Sequence, residues 1–117
     1  RKRNEIILWG DGSPKREVIY VDDIADVCIF FMKKNIKETI INIGTGKDFS
    51  IKDYAKIISS RIHPKIRLKI KFDKSKPNGT PRKVLNVTRA RKYGWKAKTS
   101  LKDAIDKTYS DYLSKYY

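Results

Sequence analysis

Arg16 closes a glycine-rich turn, Trp9-Gly10-Asp11-Gly12-Ser13-Pro14, that carries an indole at its start. Further cations, Lys76, Arg82 and Lys83, come with the stretch Asp73 to Arg82, which holds two prolines, one glycine and no apolar side chain. A guanidinium binds phosphate in bidentate fashion, and an ammonium adds a compact point charge beside it. An indole can pack against a sugar or a base. Together these residues suit an anion clamp for a ligand such as a nucleotide diphosphate. The competing reading buries Trp9 in the core and leaves the charges as plain surface.

Patterns for bond-making chemistry are missing from the sequence. None of the seven tyrosines is followed four residues later by the lysine that would lower its pKa for proton transfer. A dinucleotide fingerprint needs Gly-x-Gly-x-x-Gly between a strand and a helix. Gly10-Asp11-Gly12 and Gly44-Thr45-Gly46 both lack the third glycine and read as turns. Cys28 falls on the apolar stripe of its predicted helix and reads as a core thiol. His63, before Pro64, reads as a helix end. Asp22 and Asp23 are adjacent rather than facing, so capping suits them better than acid–base work. One cysteine and one histidine exclude a disulfide framework and a Cys/His metal cluster. The expected catalytic and metal sites are therefore empty sets.

The elements that must hold the clamp follow from periodicity. Glu5 to Leu8 reads as a short strand, and Arg16 to Val21 as a second. A helix capped by Asp22 or Asp23 runs to about Asn35, with Ile24, Val27, Cys28, Phe31 and Met32 on one stripe. Thr39 to Ile43 reads as a strand. Ser50 caps a helix over Ile51 to Ile62, with Asp53 completing a capping pair. Ile66 to Phe72 alternates apolar and basic residues, as a half-buried strand does. Thr88 opens a short helical turn ended by Gly94. Ser100 and Asp103 cap the last helix, which keeps its period to Leu113. Strands alternating with helices predict an α/β fold, a small sheet with flanking helices, as one unit over residues 1–117.

The chain's 117 residues carry 28 Lys+Arg against 13 Asp+Glu, a net charge of +15. Such a surplus suits nucleic acid, but the charges are spread along the chain and acids are interspersed, with no RNP-type motif or long basic block. A lysine-rich solvated surface is the preferred reading, and a basic nucleic-acid-binding domain the competing one. No apolar run approaches the roughly 18–20 residues of a membrane span. The start, Arg1-Lys2-Arg3, is basic, but the apolar run after it is too short for a signal peptide. A soluble, cytoplasmic chain is expected.

The residues quoted so far carry a resemblance. WGDGSPKRE (Trp9 to Glu17) followed by VDDIA (Val21 to Ala25), INIGTG (Ile41 to Gly46), and KPNGTPRK (Lys76 to Lys83) with LNVTR and Gly94-Trp95 resemble, in order, motifs of the GDP-L-fucose synthase family. That family belongs to the extended short-chain dehydrogenase/reductases. VDDIA and INIGTG are shared by many nucleotide-sugar epimerases and dehydratases; WGDGSPKRE with KPNGTPRK is more specific. The resemblance implies the C-terminal, substrate-binding part of such an enzyme, with the N-terminal Rossmann portion absent. The intact family epimerises C3 and C5 of GDP-4-keto-6-deoxy-D-mannose and reduces C4 with NADPH. By the resemblance NADP and the catalytic group belong to that N-terminal portion, so this chain alone is expected to be inactive. It places Trp9, Arg16, Asn78 and Lys83 at the GDP-sugar, and it implies a homodimer for the intact enzyme. Asn78 and Asn86 stand where the family has Asp. Another nucleotide-sugar epimerase or dehydratase fragment is the alternative.

Overall fold

The computed structural model describes residues 4–117; the basic Arg1–Arg3 start lies outside them. The expected α/β architecture is present, but built on two small sheets rather than one. β1 (Glu5–Trp9) pairs in parallel with β4 (Lys69–Asp73), Glu5 opposite Lys69 and Trp9 opposite Asp73. β2 (Lys15–Arg16) is the centre of the second sheet, antiparallel to β3 (Phe49–Ser50) and parallel to β5 (Arg82–Lys83). The helices are α1 (Val21–Met32), α2 (Ile51–Ile62), α3 (Thr88–Lys92) and α4 (Leu101–Tyr116).

Local chemistry accounts for several boundaries. The Ser50 side chain accepts from the Asp53 amide and donates to the Asp53 carboxylate at 2.6 Å, which starts α2. Ser100 accepts from the Asp103 amide and starts α4 in the same way. Each cap satisfies one of the orphan amides of a first helical turn.

Other expectations are corrected. Of the second strand expected over Arg16 to Val21 only Arg16 is paired, with Lys15 before it; the backbone leaves the ladder after Arg16, and α1 already starts at Val21. Neither Asp22 nor Asp23 caps α1, whose N-cap is Tyr20 with no side-chain bond, and the helix stops at Met32. Asp23, 4% exposed, instead accepts from the amides of Lys98 and Thr99 and from the Thr99 hydroxyl, latching α1 to the chain before α4. Thr39 to Ile43 is not a strand: no neighbour supplies a ladder, and Arg89 and Asn42 make isolated side-chain bonds instead. The fourth strand begins at Lys69 rather than Ile66. Val87, not Thr88, precedes α3, and the Asn86 side chain accepts from the Thr88 amide.

The core lies under α1 and α3. Val27, Ala90 and Trp95 are its buried centre, with Phe30, Phe31, Ile41 and Ile43 packed against it. The covered arc of α1 therefore runs through Asp23, Val27 and Phe31. Cys28 lies on the other side and is exposed, and Met32 is 84% exposed, so the core-thiol reading of Cys28 fails.

Candidate functional site

Two loops meet where the clamp residues sit. The Asp11 amide donates to Asn78 Oδ1 at 2.8 Å, tying the glycine turn to the proline loop. Gly10 has φ +73°, and a Cβ there would stand 2.0 Å from Asn78 Oδ1, so only glycine lets the loop approach this closely. Within the turn, hydrogen bonds from Ser13 hold the Asp11 carboxyl below its usual pKa. The next bond, from the Lys15 amide to the Pro81 carbonyl at 2.8 Å, leads into the ladder of β2 with β5.

That ladder sets Arg16 directly opposite Lys83. Paired residues of neighbouring strands project from the same face, so the two cations are companions. Arg16 Nη1 donates to the carbonyls of Lys15 and Thr80, both at 2.7 Å, which fixes the guanidinium while its other donors keep no partner among the described residues. Gly79 follows Asn78 and lies against Arg16 Nη2. The Tyr54 hydroxyl donates to the Arg16 carbonyl at 2.8 Å, and burial raises the pKa of that phenol, so it stays a donor.

Trp9 is 69% exposed on the outer face of β1, which removes the core reading of this indole. The Asp73 carbonyl accepts from the Gly10 and Lys76 amides, and the turn so formed carries Lys76 Nζ to 5.6 Å from the Trp9 ring centroid. Asn78, packed on Gly10 and preceding Gly79, is the link between the Trp9–Lys76 pair and the Arg16–Lys83 pair. Arg82 is drawn away instead: its Nε bonds Asp48 at 2.5 Å and holds that carboxyl below the ordinary range.

Glu17 is the residue that sequence reasoning missed. Its carboxylate accepts from the Gly46 amide at 2.5 Å, from the Thr45 hydroxyl at 3.2 Å and from the Leu85 amide at 3.1 Å. It thereby joins the Gly44–Gly46 turn and the end of β5 to the residue after Arg16. Its place at the end of the WGDGSPKRE motif, beside Arg16, was the available signal. Neither glycine pair is free to cradle a dinucleotide: Gly10 is filled by Asn78, and a Cβ on Gly44 would meet the Glu17 carboxylate at 2.7 Å. Neither turn therefore fits the pyrophosphate of a nicotinamide cofactor. No group of three or more His, Cys, Asp or Glu residues among those described is placed to hold a metal, and no helix among them is long and apolar enough to cross a membrane.

Residues 1–44 match the NAD dependent epimerase/dehydratase family. The chain is 38% identical over 110 residues to putative GDP-L-fucose synthase 2 of Arabidopsis thaliana, which covers 94% of this chain and 33% of that protein. It is also 38% identical to GDP-L-fucose synthase of Escherichia coli K12, over 93% of this chain and 36% of that one. Among solved structures it matches the GDP-mannoheptose C4 reductase of Campylobacter jejuni, determined with NADP bound. The TM-score is 0.80 and the identity 33%, over 93% of this chain and 35% of the reductase. The chain is similar to the NAD-dependent epimerase/dehydratase family and to the GDP-L-fucose synthases. It spans about a third of the length of these relatives. Its curated relatives at 37–38% identity are GDP-L-fucose synthases, as the four ordered motifs implied. The epimerase/dehydratase family is NAD dependent, and the solved reductase was determined with NADP bound.

Proposed function

We propose that this chain is the sugar-nucleotide-binding part of an epimerase–reductase of the GDP-L-fucose synthase type, acting on GDP-4-keto-6-deoxy-D-mannose. One observation carries the reading: β2 and β5 pair in a register that sets Arg16 beside Lys83. Convergent cations answer the charge of a diphosphate, and Arg16 keeps donors spare for it. Trp9, exposed and next to Gly10, which touches Asn78, packs the sugar or base. Asn78 holds the turn by accepting from the Asp11 amide through its carbonyl oxygen, a bond that the family's Asp could also accept. Residues 1–117 form one substrate-binding unit. Reduction and epimerisation are assigned to residues outside this set, since no nucleophile or acid–base pair is recognisable among the described residues. The intact enzyme works in solution as a homodimer.

Calorimetric titration of the chain with GDP tests the clamp. Arg16→Ala and Lys83→Ala are each expected to weaken binding about tenfold, the effect of about 1.4 kcal/mol. Wild-type affinity in both variants overturns the assignment. The purified chain is also expected to leave NADPH unoxidised when given the keto sugar, and turnover there would show a reaction centre that this reading denies. Titrations comparing GDP-hexose with GDP-heptose substrates separate the proposed substrate from the heptose of the solved reductase.

A further inference from the structure

Away from the clamp, a groove of about 720 Å³ runs between α2 and the segment leading into β4. Lys52, Lys56, Lys65, Arg67 and Lys69 line it, and no carboxylate does. None of these five is in an ion pair among the described residues, whereas Arg61, Lys71, Arg82 and Lys115 each hold an acid. Part of the wall is apolar and includes Phe72, whose ring centroid lies 6.0 Å from Lys52 Nζ. The fold thus brings Lys52 and Lys56 of α2 beside the basic alternation that leads into β4. A cleft lined by one sign of charge focuses its field on an oppositely charged ligand. Five unpaired cations along an open groove suit repeated anionic groups, and an aromatic wall suits unstacked bases better than carboxylate side chains.

We propose that this groove binds single-stranded nucleic acid through its phosphate backbone, independently of the diphosphate clamp. Fluorescence anisotropy of a labelled oligouridine, titrated with the whole chain over a series of salt concentrations, tests it. Each neutralised phosphate contributes about 0.7 to the salt slope for a single strand. The combined variant Lys52→Gln, Lys56→Gln, Arg67→Gln and Lys69→Gln is expected to bind at least about tenfold more weakly and to lose about 3 from that slope. A control with the same charge change at Lys33, Lys37, Lys92 and Lys96 is expected to keep both. Equal losses in the two variants mean attraction by net charge alone and overturn the proposal. Unchanged binding in the groove variant does the same, and means that these lysines serve only to guard the open edge of β4. Competition by polyglutamate as strong as by unlabelled oligouridine also overturns it, in favour of an acidic polypeptide. Should the combined variant lose its circular dichroism, Lys52→Gln and Arg67→Gln singly are expected to remove about 0.7 each from the slope. Arg16→Ala is expected to leave oligouridine binding intact, so failure of the clamp and failure of the groove are read separately.

Discussion

Single carboxylates carry much of the arrangement around the clamp. Glu17 answers three donors at once, Gly46 and Thr45 on one oxygen and Leu85 on the other. A glutamine has one oxygen to offer them, so its amide faces either the Leu85 N–H or the Gly46 N–H and Thr45 hydroxyl. Glu17→Gln is expected to cost about 1–3 kcal/mol in urea unfolding, the scale of leaving such donors unpaired. It should also weaken GDP binding, because β2 and β5 lose their common tie. Asp48 gives a pH signature. Its carboxyl is held low by the Arg82 hydrogen bond, so the pair's contribution to stability is complete above the ordinary aspartate range, about 4. That contribution fades as the pH falls through the depressed value. Stability is accordingly expected to be flat above about pH 5 on this account and to decline below it. In Arg82→Ala the Asp48 carboxyl resonance should titrate nearer the ordinary value; an unmoved titration would show that the guanidinium does not set it. Trp9, Arg16 and Lys83 stood out by type and Asn78 through the resemblance alone, while Arg82, also singled out by type, pairs with Asp48. Glu17 did not stand out, because its role appears only when the fold brings the Gly44–Gly46 turn to it.

Elements divide by whether their causes are local. Both serine caps were legible because the donor and acceptor lie three residues apart. Ser50→Ala and Ser100→Ala are each expected to cost about 1 kcal/mol, read as a lower urea midpoint with unchanged slope. β1 and its glycine turn were legible for the same reason. Thr39 to Ile43 was not, since β-rich composition describes a side-chain environment and a strand also needs a partner ladder. In α1 the spacing of apolar residues located the helix but not its covered side, because that helix is apolar over most of its circumference. Ile41, Ile43 and Trp95 decide it by packing on Val27, which leaves Cys28 outside. A thiol reagent is therefore expected to modify Cys28 in the native protein at close to the rate seen in denaturant. Strong protection in the native state would mean that this face of α1 is covered in solution.

At the largest scale, this chain is thin for its mass. Its Cα radius of gyration is 17.2 Å with extents of 56 × 34 × 19 Å, against about 13 Å for an ordinary compact domain of this length. Its accessible surface is 9261 Å², where the usual scaling gives about 6,600 Å² for a monomer of 13.7 kDa. Large apolar side chains contribute to the excess: Ile7 on β1 and Val21, Ile29 and Met32 on α1 are all exposed. Composition concealed this, since 39% hydrophobic residues is enough for a normal core. What limits the core is the number of layers, because β1 and β4 form a sheet of two strands and α1 has packing on one side only. The denaturant slope scales with the area newly exposed on unfolding. A chain that already exposes this much should show a urea slope near the bottom of the range for small proteins, about 1 kcal/mol/M. Its transition should accordingly be broad and its midpoint low. A slope near 2 kcal/mol/M in a monomeric sample would mean that α1 folds back over further apolar surface in solution, contradicting the exposed positions of Val21 and Met32.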